Sequence, residues 1–467
     1  MSDPTDIKNL ALEVAGANFS DERLNGRLRT LVSVLAADPS VSLPRTFDGA
    51  GLEAAYRFFS NPRVTPDDIL SSHFEATRVR CAGEDEFLVI HDSTTFSYRF
   101  DGQRDGLGRA QPRNSNSRQA FFAHASLAVT ADGTRRPLGV VALKTWTRGE
   151  ARSGVEHLRW EIQARAAASR LGNHDKAIHV MDREADDYEM FVALVRGHHR
   201  FIVRCQYNRW LEQEPKTKLK DVLVSLNAAV QQTAHLSRRK PKREPPQAKA
   251  YPARCERIAQ LSIAAAKFVL RRPKRCGKSP TSVALPPSLT VNIVRIWEPE
   301  PPPDEVPVEW ILYTTDPIDT PEQLIAIADR YRARWTIEEY FKAIKTGCDF
   351  ERRQLREYEA LVNLLATFVP IAYRLLLIRS EARRAPHTDA STVLSSDQLD
   401  VLRAKGRIRL SDSPTVRDVY LAVAALGGHI KYARDPGWLT LARGFEKLET
   451  LTEGWVAAKL QLSRDQP

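Results

Sequence analysis

The sequence predicts an α/β protein in which a strand-rich centre is flanked by helical segments. From residue 1 to about 78, apolar residues recur at helical spacing, and short apolar or alternating runs dominate from about residue 85. Beyond residue 354 the helical period returns and continues towards the C-terminus. With 467 residues, 42% of them hydrophobic, the chain is long enough for two to four domains.

The N-terminal segment is predicted to hold three helices. The apolar stripe of the first helix consists of Leu24, Leu28, Leu31 and Leu35. Ser20 is expected to cap that helix, the second covers "GLEAAYRFFSN", and Thr65 with Pro66 begins the third. Small helical modules with surface arginines often bind DNA, and a plain packing domain is the alternative.

The centre of the chain is predicted to hold strands. "EFLVIHD" and "KAIHVMD" are apolar runs that end in Asp92 and Asp182, and "RFIVRCQY" and "EWILYTTD" are further strands. Two runs joined by "ADGT" predict a β-hairpin. The proline-rich stretch from 207 to about 308 reads as an insertion, with strands at "AQLSIAAAKFVL" and "LTVNIVRIW".

Positive charge is concentrated in one stretch. Residues 238 to 278 hold fourteen Lys or Arg and two Glu, a net charge of +12, whereas the whole chain carries 69 − 58 = +11. This basic island begins with Arg238, Arg239 and Lys240 and is interrupted by prolines. It suits a phosphate backbone, and a solvated loop without a ligand is the alternative.

Compartment and solubility follow from simple features. The acidic N-terminus has no apolar core of a signal peptide, and the five cysteines are scattered. These features predict a cytoplasmic protein. The most apolar stretch, residues 361 to 378, is interrupted by Asn363, Pro370 and Arg374 and therefore predicts a buried helix, with no membrane partner.

A third acidic position lies on a predicted helix, "YRARWTIEEYFKAIKTG", at residues 331 to 347. At about 100° per residue, one side of this helix carries Tyr331, Arg334, Glu338, Lys342 and Lys345. The adjacent apolar stripe of Ile337, Tyr340, Phe341 and Ile344 is expected to pack against the sheet edge.

This packing would hold Glu338 towards Asp92 and Asp182. Strand ends are where open α/β sheets place ligands, so the three carboxylates are expected to converge. Such oxygen ligands suit Mg²⁺ or Mn²⁺, and two such ions can promote phosphodiester cleavage. Ordinary alternatives exist for each acid, namely a turn or cap residue for the aspartates and a helix ion pair for Glu338.

These motifs resemble a known family. "HDSTTFSYR", "MDREADDYEMF" and "YRARWTIEEYFKAIKTG" resemble the three acidic motifs of bacterial cut-and-paste DDE transposases of the insertion sequence four family. The third contains a Tyr-x2-Arg-x3-Glu-x6-Lys signature. Similarity extends to "AAYRFFSNP" in the N-terminal segment and "GFEKLETLTEGWVAAK" near the C-terminus.

The resemblance implies an RNase H-like catalytic core, residues 79–354, with a β-rich insertion at about 207–308. It also implies a helical DNA-binding domain at 1–78 and a helical dimerisation domain at 355–467. Asp92, Asp182 and Glu338 would be the catalytic, Mg²⁺-binding triad, with Mn²⁺ as a substitute. Family members act as homodimers on paired DNA ends, nicking, forming and hydrolysing a hairpin, and then joining 3′-hydroxyls to target DNA.

The resemblance also implies DNA contacts. Tyr331, Arg334 and Lys345 would contact the transposon end, with Lys342 beside them. Trp310 would stack on a flipped base, although the sequence alone favours a buried core position for it. Arg204 would lie near the cleavage site. The last helix carries an apolar stripe at heptad-like spacing, which favours a dimer contact and an intramolecular core equally. The stripe consists of Trp438, Leu441, Phe445, Leu448 and Trp455.

Two rival functions stay open at the level of sequence. A transposase-derived DNA-binding protein would bind inverted repeats without cutting them. A related RNase H-like nuclease, such as a junction resolvase, would cut by DNA shape without strand transfer.

Overall fold

The computed structural model describes residues 10, 13–37, 39–98, 102–111, 118–148, 158–172, 175–239, 253–274, 276, 285–430 and 435–464. The chain divides into two compact units. The first unit consists of Met1–Phe87, Asp92–Gly172 and Trp335–Pro467, and the second of Leu88–His91 and Asn173–Arg334.

The described residues form a mixed α/β fold. The strands are β1 (Phe87–Tyr98), β2 (Gly108–Arg109), β3 (Gln119–Thr130), β4 (Pro137–Trp146), β5 (Ala177–Met181), β6 (Arg200–Arg204), β7 (Val230–Leu236), β8 (Arg257–Arg271), β9 (Ser288–Trp297) and β10 (Glu309–Thr314). The first helices are α1 (Glu22–Ala37), α2 (Leu43–Thr46), α3 (Gly49–Phe59), α4 (Pro66–Ala82), α5 (Arg159–Leu171), α6 (Tyr188–Arg196) and α7 (Leu219–Leu223). The later helices are α8 (Pro321–Arg332), α9 (Trp335–Lys342), α10 (Tyr358–Arg384), α11 (Ser396–Lys405), α12 (Val416–Leu426) and α13 (Trp438–Arg464).

The three predicted N-terminal helices are present as α1, α3 and α4, and most of the leucine stripe of α1 is buried. The predicted cap of α1 was wrong. Ser20 has a φ of 56°, and the carboxylate of Asp21 instead accepts a hydrogen bond from the amide of Arg23 at 3.0 Å. Asp21 thereby satisfies one of the amides that a first helical turn leaves unpaired. Thr65 and Pro66 begin α4 as predicted.

The predicted hairpin around "ADGT" joins β3 and β4, which pair in antiparallel fashion. Gly133 in its turn has a φ of +84°, a conformation that glycine adopts without strain. Helix α4 packs on β4 at Gly139, where an added Cβ would lie 2.0 Å from Oγ1 of Thr77. The missing side chain therefore allows this close approach.

Helix α10 is the centre of the first unit. Asn363, Pro370 and Arg374, which interrupt its apolar sequence, are all buried. By length and composition α10 would cross a membrane, but its whole apolar window is buried inside the protein. Helices α1, α3, α4, α9 and α12 pack against it. The prediction of a buried helix is confirmed.

The last helix, α13, divides into two parts. Trp438, Leu441, Phe445 and Leu448 are buried within the chain, so this part of the predicted stripe is an intramolecular core. Trp455 is 38% exposed, and Leu451, Leu460 and Leu462 are exposed with it. The second half of α13 therefore presents apolar side chains to solvent.

The second unit is built on strands in the order β1, β5, β6, β10, β9, β8, β7, with β1 contributing Leu88–His91. β5 and β6 are parallel, and β6, β10, β9, β8 and β7 follow one another with antiparallel pairing. β7 was missed from sequence because only Ala234 and Leu236 are buried in it, which leaves no alternating apolar pattern.

The predicted domain boundaries are not tested by these elements and stay predictions. The boundary at residue 78 lies inside α4, which continues to Ala82, whereas the boundary after 354 lies just before α10. The stretch predicted as an insertion, 207–308, contains α7, β7, β8 and β9.

A buried charged cluster ties the N-terminal segment to the rest of the first unit. Nη1 of Arg80 donates to Oε1 of Glu13 at 2.6 Å, and Nδ1 of His73 bonds to the same carboxylate. The amide of Val140 donates to Nε2 of His73 at 3.0 Å. Burial raises the pKa of Glu13, but His73 and Arg80 outweigh burial and lower it to about 2.

Replacing Glu13 with Gln is expected to destabilise the protein by about 3 kcal/mol at neutral pH, since a lowered pKa is worth about 1.4 kcal/mol per unit. The folded-state pKa lies below the ordinary value of 4.5. The stabilisation is therefore complete above 4.5 and is lost as the pH falls towards 2. Urea unfolding of the wild type and Glu13→Gln between neutral and acidic pH measures this difference.

Glu53→Gln is the matched control, because Glu53 forms an exposed pair with Arg57 and such pairs contribute little. If the gap between the wild type and Glu13→Gln stays constant as the pH falls, Glu13 stabilises the fold by packing and not by its charge.

Candidate active site

Asp92 lies within β1 and not at its end. The prediction that this strand ends at Asp92 was wrong, because β1 continues to Tyr98. The extension is supported by Glu351, which accepts a hydrogen bond from the amide of Ser97 at 2.8 Å. Asp92 is half-buried, and its Oδ1 accepts from the amide of Ser93 at 2.7 Å.

A polar network that was not predicted surrounds the residue after Asp92. Oγ of Ser93 lies 2.8 Å from Nδ1 of buried His124, and Nε of Arg159 donates to the same Oγ at 3.2 Å. Burial, followed by the charge of Arg159, lowers the pKa of His124 to about 3. The imidazole is therefore neutral at physiological pH, and its Nδ1 can accept the proton of Ser93.

Asp182 directly follows β5, as predicted. Its Oδ1 accepts a hydrogen bond from the amide of Glu184 at 2.8 Å, which caps the short 3-10 turn Arg183–Ala185. The ordinary capping role is thus present, and it also fixes the orientation of the carboxylate. His91, beside Asp92 in sequence, bonds to Nδ1 of buried His179 at 2.9 Å, which is a packing role.

The second unit brings four of the predicted site residues together around Tyr331, which is 3% exposed. Burial raises the pKa of the Tyr331 phenol, the nearby charges of Arg204 and Arg334 lower it, and Asp182 raises it again, so that the pKa stays above its ordinary value. The phenol also hydrogen-bonds with Arg204. An acid and two arginines therefore act electrostatically on one buried tyrosine.

Trp310 belongs to the same cluster. It lies in β10 opposite Ile296 of β9, and its ring centroid is 5.7 Å from that of Tyr331 at an angle of 61°. Trp310 is half-buried, so the expectation of a core residue was only partly right. Part of its ring is open to solvent.

The predicted single helix at 331–347 was wrong. Helix α8 ends at Arg332, and the amide of Arg334 bonds to the carbonyl of Tyr331 in a tight turn before α9 begins at Trp335. After Lys342 the chain widens into a π-helical segment, Ala343–Gly347. These two interruptions change the angular spacing, so the motif residues do not share one uniform helical arc.

Glu338 is half-buried on α9 in the first unit. The apolar stripe beside it is buried as predicted, and its main packing partner is α10. The hydroxyl of Tyr340 donates to the carbonyl of Val369 at 3.3 Å, and α9 and the π-helical segment pack on α10. The position of Glu338 is therefore set by a helix from the C-terminal part of the chain.

The two lysines of the third motif have different environments. Nζ of Lys345 donates to the carbonyl of Thr95 at 2.7 Å, and burial lowers its pKa although Glu351 opposes this. Lys345 is thus bound to β1, three residues from Asp92. Lys342 is exposed and pairs with Glu339 at 2.6 Å.

The basic island is only partly described. Arg238 is exposed, and Arg239 pairs through its backbone with Arg254 at 2.8 and 3.0 Å. Lys240 lies outside the described residues.

A pocket of about 280 Å³ opens beside Arg204 in the second unit. Its lining includes three cations, Arg183, Arg204 and Lys220, together with Cys205, Gln206 and Glu309. Glu309 is paired with Arg295 at 2.9 Å. The pocket is therefore a positively charged recess.

Asp186 and Arg209 support this region and were not predicted. The carboxylate of buried Asp186 accepts from the amides of Gln206 and Tyr207 at 2.6 and 2.9 Å and pairs with Arg209 at 2.5 Å. Burial lowers the pKa of Arg209, but Asp186 reverses this and raises it above its ordinary value. The chain turn after Arg204 is held by this pair. Their separation of 23 residues left no signal in the sequence.

The donor chemistry of Asp92, Asp182 and Glu338 fits a hard divalent cation, because all three supply carboxylate oxygens. Asp92 and Glu338 lie in the first unit and Asp182 in the second. In the described part of the chain, no group of three or more His, Cys, Asp or Glu side chains is arranged to hold a metal ion.

Asp186→Ala is expected to destabilise the protein by about 3–5 kcal/mol, because Arg209 would keep a buried charge without its partner. Chemical denaturation measures this loss. Glu212→Ala removes the acid of the exposed pair with Arg271 and is the control, with an expected change below about 1 kcal/mol. Equal losses in the two variants would contradict a special role for the buried pair.

Comparison with known proteins gives two family matches. Residues 8–64 match the family described as Transposase DNA-binding, and residues 85–369 match Transposase DDE domain. A cryo-EM structure of a piggyBac transposase synaptic complex with hairpin DNA is 8% identical, with 98% of this chain and 82% of that chain covered. Its TM-score of 0.37 is too low to establish a shared fold. The DDE match includes all three motif acids and more than half of the chain, and the chain therefore belongs to the DDE transposase family.

Proposed function

We propose that this protein is an active DNA transposase. It binds inverted repeats at the ends of a transposon, cleaves them through a nick, a hairpin and hairpin hydrolysis, and joins the 3′-hydroxyl ends to target DNA. The observation that carries this proposal is the match to the DDE domain at 85–369, which contains Asp92, Asp182 and Glu338 in the order of the family motifs.

The motifs support a finer placement within the insertion sequence four family, with most similarity to the transposase of the transposon Tn five. The Tyr-x2-Arg-x3-Glu-x6-Lys signature at Tyr331, Arg334, Glu338 and Lys345 is the reason. The preceding match to a transposase DNA-binding domain at 8–64 supports recognition of the inverted repeats.

Asp92, Asp182 and Glu338 are the proposed ligands of Mg²⁺, for which Mn²⁺ would substitute. A bound divalent cation would activate a water or hydroxyl nucleophile and stabilise the leaving oxygen. The chain orients two of these carboxylates through backbone amides, that of Ser93 for Asp92 and that of Glu184 for Asp182. Every step is a phosphoryl transfer, so no covalent protein intermediate is needed.

Tyr331, Asp182, Arg204, Arg334 and Trp310 are together called the Tyr331 cluster. This cluster is the proposed contact with the cleaved end. Arg204 and Arg334 would bind phosphate oxygens, and the partly open ring of Trp310 would stack a base turned out of the duplex. Lys342 and Lys345, on the same motif as Glu338, would also contact phosphates. Arg238, Arg239 and Lys240 would add non-specific attraction to the DNA backbone.

Two further features of the proposal concern assembly and location. We place the protein in the bacterial cytoplasm, in association with the nucleoid. It would act as a homodimer on two paired ends. The exposed apolar side chains on the second half of α13, including Leu451 and Trp455, support a contact between subunits.

Asp182→Asn and Glu338→Gln are each expected to lower the rate of DNA cleavage by roughly 100-fold or more, because each removes a charged metal ligand of nearly unchanged size. Binding to transposon ends should be unchanged. The measurement uses a plasmid in which the native flanks of the gene surround a marker, with purified protein and Mg²⁺.

Glu339→Gln is the control, since Glu339 neighbours Glu338 but pairs with Lys342, Arg379 and Arg383 and is not a proposed metal ligand. Full cleavage by Asp182→Asn or Glu338→Gln would refute the triad. End binding by the wild type without cleavage in Mg²⁺ or Mn²⁺ would favour a transposase-derived DNA-binding protein.

Trp310→Ala is expected to slow hairpin formation by roughly 5- to 100-fold, the amount that one aromatic stack on a base is worth. The first nick should change little, because the base need not leave the duplex for it. Time courses that resolve nicked, hairpin and excised DNA measure both steps. Trp310→Phe keeps an aromatic ring and should retain most of the rate; equal slowing of both steps would refute stacking.

A further inference from the structure

Two large aromatic side chains are exposed on the chain segment that follows Gln206 of the cationic pocket. Tyr207 is 58% exposed and Trp210 is 49% exposed. Tyr207 directly follows Gln206, which lines the pocket, and Nζ of Lys218 lies 5.0 Å from the centre of the Trp210 ring. Aromatic faces and cations therefore occur together on one segment, residues 205–220.

This segment is anchored. The amides of Gln206 and Tyr207 are bound by the buried carboxylate of Asp186. The carbonyl of Trp210 accepts from the amide of Arg271 at 2.9 Å, and Trp210 bridges to Lys218 in antiparallel pairing. The two rings are thus held in solvent by a fixed backbone, an arrangement that indicates a binding surface.

The charge of the pocket selects an anionic partner. Among the described residues that line it, Arg183, Arg204 and Lys220 are accompanied by one acid, Glu309, which is already paired with Arg295. A DNA strand presents phosphates and base faces in alternation. A recess with three cations beside exposed rings is complementary to both groups.

This surface is separate from the proposed stacking residue Trp310. Successive side chains of a strand point to opposite faces. In β10, Glu309 and Ile311 line the pocket, whereas Trp310 between them packs against Tyr331. Glu309 and Ile311 therefore point to the opposite side of β10 from Trp310, and Arg204 is the residue that the pocket shares with the cluster around Tyr331.

We propose that the pocket together with Tyr207 and Trp210 forms a second DNA contact surface, which binds unpaired nucleotides. Phosphates occupy the pocket and bases stack on the two rings. Unpaired nucleotides are the partner because the bases of an intact duplex are already stacked on each other. The proposal rests on the proposed function. It adds that this surface binds the unpaired DNA strand when a transposon end is opened.

The test measures binding of the full chain by fluorescence anisotropy without divalent metal. One probe is a blunt duplex of mixed sequence, and the other carries an added tail of about ten thymidines, within the usual site sizes for single strands. The wild type should prefer the tailed probe. Tyr207→Ala and Trp210→Ala should each weaken binding to the tailed probe by roughly 5- to 100-fold and leave the blunt probe unaffected.

The salt dependence separates stacking from charge. Trp210→Ala should leave the slope of log affinity against log salt unchanged, whereas Lys220→Gln should reduce its magnitude by about 0.7, because one phosphate contact to a single strand is lost. Tyr207→Phe and Trp210→Phe keep their rings and should retain binding.

Ile430→Ala is the control, because Ile430 is also a large apolar side chain, 72% exposed, and has no proposed part in DNA binding or in the subunit contact. Wild-type binding without preference for the tail, or equal losses in Ile430→Ala and Trp210→Ala, would overturn the proposal while leaving the transposase function standing. A wild type that binds neither probe would contradict DNA binding itself.

Discussion

The burial of α10 is the constraint on which the first unit depends. A 27-residue helix that is buried on nearly every side must be covered by helices from both ends of the chain. Its polar residues direct this packing, because a buried polar group without a partner costs about 1–3 kcal/mol. Asn363 donates to the carbonyls of Phe59 and Val64 at 2.9 and 3.0 Å, and Arg374 pairs with Glu449 at 2.7 Å. Helix α9, which holds Glu338, packs on α10, so the position of Glu338 depends on α10.

In the second unit, buried acids paired with arginines have the corresponding role. Asp316 binds Arg200 of β6 and Arg330 of α8 at 2.8 and 2.7 Å, which fixes the end of α8 where Tyr331 lies. Asp186 and Arg209 hold the turn that follows Arg204. Such pairs are costly to break because the remaining charge stays buried. These charge pairs therefore stabilise the backbone segments that carry Arg204 and Tyr331.

Much of the fold was predictable because it depends on local patterns. The hairpin of β3 and β4, the start of α4 and the position of Asp182 after β5 follow from turn residues, caps and short apolar runs. The errors arose where distant contacts override local preference. β1 continues past Asp92 in a segment where Lys345 and Glu351 bond to its backbone. The single helix at 331–347 was wrong for a related reason, since its parts pack on different partners.

From its amino-acid order alone, the chain reveals an α/β class, a basic island and three motif acids in the spacing of a DDE transposase. These properties depend only on residue types and on their spacing along the chain. The Tyr331 cluster, the cationic pocket and the anchored aromatics depend on residues far apart in the chain. Folding brings residues close together only when the strands between them pair and the core closes, as it does for Asp182 and Tyr331 and for Asp186 and Arg209. No local sequence pattern predicts such contacts.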